Sequence, residues 1–408
     1  MTEINIVREL ARKVAEIAAL PIHQETIALW KANNAKTPIR PMVMIDQIPW
    51  HEMDVDGELE PRCVDPFLRT REIELRRSIY RWKHMPVDFV VEPFIRIPTT
   101  VHSTGFGIEC REITSALDEK NDIVGHAYTD QLQTDADIEK IHAPELTLDE
   151  TATDLDASRA HEIFDGILEV RVEGNIPVYS MWDTLVMWRN PEAIFFDLVD
   201  RPEFLHKLAQ RLTDASLAML DSMEKQGLLG RPQSWIHCTG AFTDELPAPG
   251  FNPEKPRAKD LWTYGMSQIF STVSPEMHEE FEHPYLAPWF ERFGLVYYGC
   301  CEPLDQKIPM IRRLPNIRKI SMSPWVDVEH GAEAIGRDYV FSRKPSPAFL
   351  AVDNWDIAAV ARDLRATRDA CRRHGCPLEL MLKDISTLRY DPKRLWEWAA
   401  LASKIVRE

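Results

Sequence analysis

Short apolar runs alternate with helical periods along most of this chain, and that alternation restricts the possible folds more than any other feature. Runs at 42–45, 88–97, 176–181, 234–239, 295–301, 317–322, 339–341 and 378–382 are in the main apolar or aromatic. Each is too short for a buried helix and suits a strand. Helical patterns separate most of them, at 65–83, 157–170, 197–226, 305–313, 327–335 and 355–374, with 392–406 closing the chain. The pattern over 197–226 is the strongest. Asp200 can cap it, Pro202 suits a first turn, and Phe204, Leu205, Leu208, Leu212, Leu217 and Leu220 form its stripe before Gly227. Eight strands, most followed by a helix, is the count of an α/β (β/α)8 TIM barrel. A doubly wound open sheet is the second reading. No GxGxxG or GxxxxGK[ST] element follows any run, which argues against a nucleotide site of the usual kind.

Two regions stand outside that alternation. Residues 1–36 read as an N-terminal helical extension, with Ile6, Leu10, Val14 and Ile17 at helical spacing, and residues 37–408 as the barrel. The extension suits a cap or a homodimer element. Residues 99–130 lack periodicity and read as a hairpin excursion over the barrel mouth. The Pro/Gly-rich stretch 240–260 is long for a connection and reads as a lid.

Charge and cysteine usage narrow the function. The net charge of −17 argues against nucleic acid and anionic membrane surfaces as partners. No apolar run approaches the roughly 20 residues needed to span a bilayer. The first residues lack the basic start and apolar block of a signal peptide, so a cytoplasmic location is expected. Seven cysteines, two of them adjacent, do not make a disulfide framework and point to reduced thiols.

The stretch Tyr297-Tyr298-Gly299-Cys300-Cys301-Glu302 places two thiols and a carboxylate where a strand ends and a helix is about to begin. In α/β folds ligands and catalysts gather there. The other strand ends carry Asp46, Glu92, Asp183, His237, Ser323, Lys344 and Asp384. Sulfur, imidazole and carboxylate together match zinc, with His237, Cys301 and Glu302 as ligands. Strand alternation makes Cys301 the inward thiol and Cys300 the one packed behind it. Glu302, Asp384 and Asp46 are the candidate catalytic carboxylates. Trp182, Asp183, Tyr298 and Lys344 are candidates for substrate contact. His237 equally suits a hydrogen-bonded core position, Asp384 a partner for Lys383 or a helix cap, and the aromatic residues packing in the core or lid.

Three passages carry a family resemblance. They are Phe195-Phe196-Asp197-Leu198-Val199-Asp200-Arg201-Pro202-Glu203, then Val273-Ser274-Pro275-Glu276-Met277 leading to His283-Pro284-Tyr285, then Ser342-Arg343-Lys344-Pro345-Ser346-Pro347. In this order they resemble the uroporphyrinogen decarboxylase superfamily, over roughly residues 30 to 405. The resemblance implies a (β/α)8 barrel and either tetrapyrrole decarboxylation or methyl transfer involving a corrinoid carried by a partner protein. The arginine-rich motif of the decarboxylases has no counterpart between Pro38 and Arg81. The methyltransferase branch places His-x-Cys on zinc at the end of strand five. Here Gly299-Cys300-Cys301 stands there, so the cysteine is kept and the histidine is not. The expectation is a cobalamin-dependent methyltransferase acting on a small methoxy or N-methyl substrate, with zinc as Lewis acid. A decarboxylase-like lyase and a non-catalytic corrinoid-binding protein are the alternatives.

Overall fold

Six parallel strands form the central sheet of this computed structural model, which describes residues 2–116, 120–121 and 124–408. They are β1 (Met42–Ile45), β2 (Trp262–Gly265), β3 (Leu295–Tyr298), β4 (Ile317–Met322), β5 (Val340–Arg343) and β6 (Leu378–Leu382). Their hydrogen-bonded order is β1-β6-β5-β4-β3-β2. Strands β1, β4 and β6 occupy the residues their sequences specify. Both faces of β1 and β6 are buried, which is why they read as continuous apolar runs rather than alternating ones.

The principal helices are α1 (Glu3–Ala18), α2 (Ile22–Asn34), α3 (Pro66–His84), α4 (Pro202–Gln226), α5 (Pro275–Phe290), α6 (Ile357–His374) and α7 (Lys393–Ile405). Their ends follow local chemistry. Asp65 caps α3 and Ser274 caps α5, each followed by proline in the first turn. α4 buries Leu205, Leu208, Leu212 and Leu220 and stops at left-handed Gly227. The expected single helix over 197–226 is two. A helix over Pro191–Asp200 ends at Arg201, because Pro202 has no N–H to continue the ladder and its ring obstructs the preceding turn.

The amino-terminal helices pack into the body. Val7, Ala11 and Val14 of α1 share a core with Leu68 and Leu75 of α3. Trp30 of α2 packs on Met42 and Met44 of β1 and donates its indole N–H to Asp88 O at 2.9 Å.

Among the described residues the continuous ladder has six strands, where the sequence suggested eight. Only Phe94–Pro98 of the run 88–97 is a strand, paired in parallel with Glu169–Glu173. Residues 176–180 form no strand. They lie against β2 through single bonds, Tyr179 N–H to Tyr264 O at 3.1 Å and the Thr263 hydroxyl to Pro177 O at 3.2 Å. Residues 234–239 supply the turn of a small hairpin, Trp235–Ile236 with Thr239–Gly240. At the other edge Asp88 N–H bonds Val43 O at 2.9 Å. β2 (Trp262–Gly265) has no counterpart among the strands expected from the sequence.

The excursion over 99–130 does contain a hairpin, Glu112–Ser115 with Gly125–Tyr128; residues 117–119 and 122–123 of it lie outside the described residues. No described helix is long and apolar enough to cross a membrane.

Candidate active site

Because the six strands are parallel, their carboxyl ends lie along one edge of the sheet. There β3 runs into Cys300, Cys301 and Glu302, β5 into Lys344, and β6 into Lys383 and Asp384. Gly299 makes the first departure from strand geometry. Its φ of +90° lies in the region glycine favours, and a Cβ there would come within 2.4 Å of the Leu304 side chain. The alternation of strand faces therefore stops at Tyr298, and the assignment of inward and outward thiols fails with it.

Cys300, not Cys301, is the inner thiol. It is 4% exposed, and Lys383 Nζ donates to its sulfur at 3.3 Å. Its carbonyl accepts from Ser321 Oγ at 2.6 Å and from Lys344 Nζ at 2.7 Å. Cys301 is only partly buried; its sulfur lies 3.6 Å from that of Cys300 and 3.8 Å from Asp384 Oδ2. The two thiols titrate in opposite directions. The Cys301 S–H donating to Cys300, with the charge of Lys344, holds Cys300 far below the ordinary thiol range, although burial opposes it. Cys301 is pushed up by that same contact and by burial. Burial alone would lower Lys383, but the adjacent Cys300 charge raises it. The centre is a buried thiol whose sulfur accepts from the Lys383 ammonium, a placement that favours its ionised form.

His237 sits at the hairpin turn, where it and Cys238 have φ of +39° and +71°. That backbone costs free energy in residues with a side chain, and such strain concentrates at functional positions. The imidazole lies between Tyr264 and Tyr297, with ring centroids 4.7 and 4.9 Å away. Its Nε2 is 3.5 Å from Lys344 Nζ. Burial and the Lys344 charge lower it to about 4, so it is neutral at neutral pH.

Glu302 is fully buried. Its two oxygens accept the backbone N–H groups of Ser267 at 3.1 Å and Cys300 at 2.9 Å, tying the loop after β2 to the loop after β3. Burial, then the Cys300 charge, raises it. Behind it, Ser267 Oγ, Tyr298 OH and His278 Nε2 all bond the buried carboxylate of Glu282. Lys307 reaches His278 Nδ1 at 3.0 Å.

Asp183, from a helix over Met181–Arg189, accepts from Gln268 N–H at 3.2 Å and Gln268 Nε2 at 2.9 Å. Burial first, then the Glu302 charge, raises it to about 7 despite those bonds.

The remaining candidates lie as follows. Lys344 is at the centre, but its amine is committed to the Cys300 carbonyl. Asp384 stands at the rim, bonded to Lys383 at 3.3 Å, with its side chain 46% exposed. It borders a cavity of about 660 Å³ lined by Gln47, Ile48, Trp50, His51 and Ile385. Asp46 faces Cys238, whose thiol is raised by burial and by that carboxylate, and it lines a separate cavity of about 460 Å³ beside Arg81 and Trp235. Trp182 and Tyr298 do not reach the centre. Trp182 is wholly buried against Phe270 and Phe281, its indole bonded to Phe281 O at 3.0 Å. The Tyr298 hydroxyl is held by Glu282 and His278 of α5. Both are packing residues.

The zinc ligand set does not assemble. Among the described residues no three His, Cys, Asp or Glu side chains converge on one point. Glu302 is turned onto two amides, and Lys344 and Lys383 place positive charge on the carbonyl and the sulfur of Cys300, which opposes a cation there. The residues that sequence reasoning missed are Cys300 and Lys383. Lys383 could have been found as the first residue beyond a strand as clear as β6.

No family model matches this chain, and no curated protein does. A solved structure, a methyltransferase from Methanosarcina mazei, superposes on it with a TM-score of 0.52 at 12% identity, over 93% of this chain and 98% of that one. At that identity the likeness is one of fold.

Proposed function

We propose that this chain is a methyltransferase of the uroporphyrinogen-decarboxylase-like type, with its sheet and edge segments forming a (β/α)8 barrel. It would move a methyl group between a small methoxy or N-methyl substrate and a corrinoid carried by a partner protein. Likeness of fold to the archaeal methyltransferase over nearly the whole chain supports the class. The observation that carries the reading is a buried thiol 3.3 Å from the Lys383 ammonium at the carboxyl edge of a parallel sheet, with the Asp183 carboxyl held on Gln268 of the loop after β2.

The chemistry fits those residues without a metal. The cavity beside Asp384 has the volume of a small-ligand site. When the methyl group leaves, the electron pair of its bond stays on the substrate heteroatom, which then needs a proton. Asp183, half protonated near neutral pH, is matched to supply it. Lys344 and Lys383 provide fixed positive charge beside the developing negative charge. Neutral His237 keeps a further positive charge out of the site. The corrinoid supplies the nucleophile. Its carrier would dock at the carboxyl edge, where Trp325 stands 74% exposed beyond β4. Zinc has no role in this reading.

The test is anaerobic methyl transfer to cob(I)alamin from a panel of methoxylated and N-methylated compounds, followed by the cobalt absorption spectrum. The expected result is turnover by the native chain and its loss in Asp183→Asn. No turnover with any compound, together with an unperturbed cobalamin spectrum, would overturn the assignment.

A further inference from the structure

Cys300 and Cys301 are neighbours whose sulfurs lie 3.6 Å apart. Successive side chains on a strand point to opposite faces. The turn at Gly299 removes that constraint and brings both thiols to one side. They are placed unequally: Cys300 is buried with Lys383 Nζ 3.3 Å from its sulfur, and Cys301 is partly exposed. An ionised cysteine with a second thiol poised beside it is the arrangement of an oxidation-sensitive pair. The methyl-transfer reading leaves Cys301 without a task.

We propose that Cys300 and Cys301 form a peroxide-sensitive pair that closes reversibly into a vicinal disulfide and so switches the site off. The Cys300 sulfur attacks one peroxide oxygen, the O–O bond breaks, and the departing hydroxide takes a proton to become water. Peroxide is reduced by two electrons and Cys300 is oxidised to the sulfenic acid. The Cys301 sulfur then attacks the sulfenic sulfur. The S–OH bond breaks, and the hydroxyl leaves as water with the Cys301 proton as the S–S bond forms. The sulfurs must close from 3.6 Å to a bond of about 2.05 Å.

The bridge would be easy to reopen. Adjacent residues hold their Cα atoms about 3.8 Å apart, below the usual disulfide range of about 4.4–6.8 Å. Strained bridges have high reduction potentials and are the labile ones. Closure pulls the Cys300 sulfur toward Cys301 and away from the Lys383 ammonium, so the arrangement at the end of β3 is broken.

The reduced full-length chain is treated with a small excess of hydrogen peroxide, alkylated with N-ethylmaleimide, and mapped by peptide mass spectrometry. The expected product is the peptide containing Cys300 and Cys301 with neither thiol alkylated and a mass about 2 Da lower, restored by dithiothreitol. Phenylarsine oxide, which needs two close thiols, should bind this peptide before oxidation and not after. In Cys301→Ser no bridge forms, and dimedone traps sulfenic acid at Cys300; the native chain needs no variant to fold for the main result. A Cys300 that stays alkylatable, a native chain that goes to sulfinic acid without bridging, or a bridge found only between Cys371 and Cys376 would overturn the proposal. Because the readout is mass, it is independent of whether the enzyme transfers methyl groups.

Discussion

Replacing Lys383 with methionine should weaken the hold on the ionised form of Cys300 and move its ionisation toward the ordinary thiol range. The ammonium lies 3.3 Å from the sulfur. At an effective dielectric of about 20, unit charges that far apart attract by about 5 kcal/mol. Lys344 remains, and its charge also acts on Cys300. If that second cation and local relaxation restore half of the attraction, a loss of about 2.5 kcal/mol remains, or about 60-fold in the acid dissociation constant of the thiol. Methionine keeps the length and apolar volume of the lysine stem, so packing changes little. The other partner of Lys383 is Asp384, which stays solvated at the rim. The assay is the rate of iodoacetamide modification at Cys300, located by peptide mass spectrometry, at several pH values around neutrality. The sign follows from the direction of the shift. Native Cys300 is held below the ordinary thiol range, so its rate should be flat across neutral pH. The variant titrates higher, so as the solution is made acidic its rate should begin to fall at a higher pH than the native rate. A Lys383→Met protein that is alkylated as fast as the native chain, with the same flat profile, would show that this ion pair does not set the reactivity of the thiol.

Three further outcomes follow from the same geometry. Glu302→Gln puts an amide NH2 where a carboxylate oxygen accepted a buried N–H, so stability measured by urea denaturation should fall by about 1–3 kcal/mol, and further in Glu302→Ala, which orphans the amides of both Ser267 and Cys300. Asp183, raised to about 7, binds its proton more tightly folded than unfolded, where it titrates near about 3.9. Its contribution to stability is therefore present below that lower value and is lost as pH rises to about 7; Asp183→Asn should flatten the denaturation midpoint over this window. Lys319 and Glu379, wholly buried and 2.7 Å apart between β4 and β6, form an ion pair in the sheet interior. Lys319→Met should cost about 3–5 kcal/mol by leaving a buried charge alone, and adding Glu379→Leu should restore most of it; equal losses in the single and double variants would refute the pairing.

How much of this was legible in the sequence depended on the range of the interactions. Strands β1, β4 and β6 and the ends of α3, α4 and α5 are written in neighbouring residues: apolar runs, a serine or aspartate cap, a proline in the first turn, a glycine at the stop. The position of the thiols at a strand end was legible for the same reason. The run at 176–180 was misleading because Pro177 and Tyr179 are buried against β2 without entering a ladder, while Val178 is exposed. Hydrophobicity reports burial and not the manner of hydrogen bonding.

The site itself was decided elsewhere. One positive φ at Gly299 reversed the expected roles of Cys300 and Cys301. Glu302, a natural candidate for chemistry by its position, is bound to amides from two loops, one of them 35 residues away in sequence. Lys383 meets Cys300 across 83 residues of chain, and Asp183 meets Gln268 across 85. Amino-acid order alone determined strands β1, β4 and β6, the ends of α3 and α5, the stop of α4 at Gly227, and that two thiols would stand at the edge of the sheet. Which thiol is ionised, which carboxylate is free to act and which cations surround the sulfur were settled only by tertiary structure. The physical reason is that charge and desolvation act through space, between groups that the chain brings together only when folded.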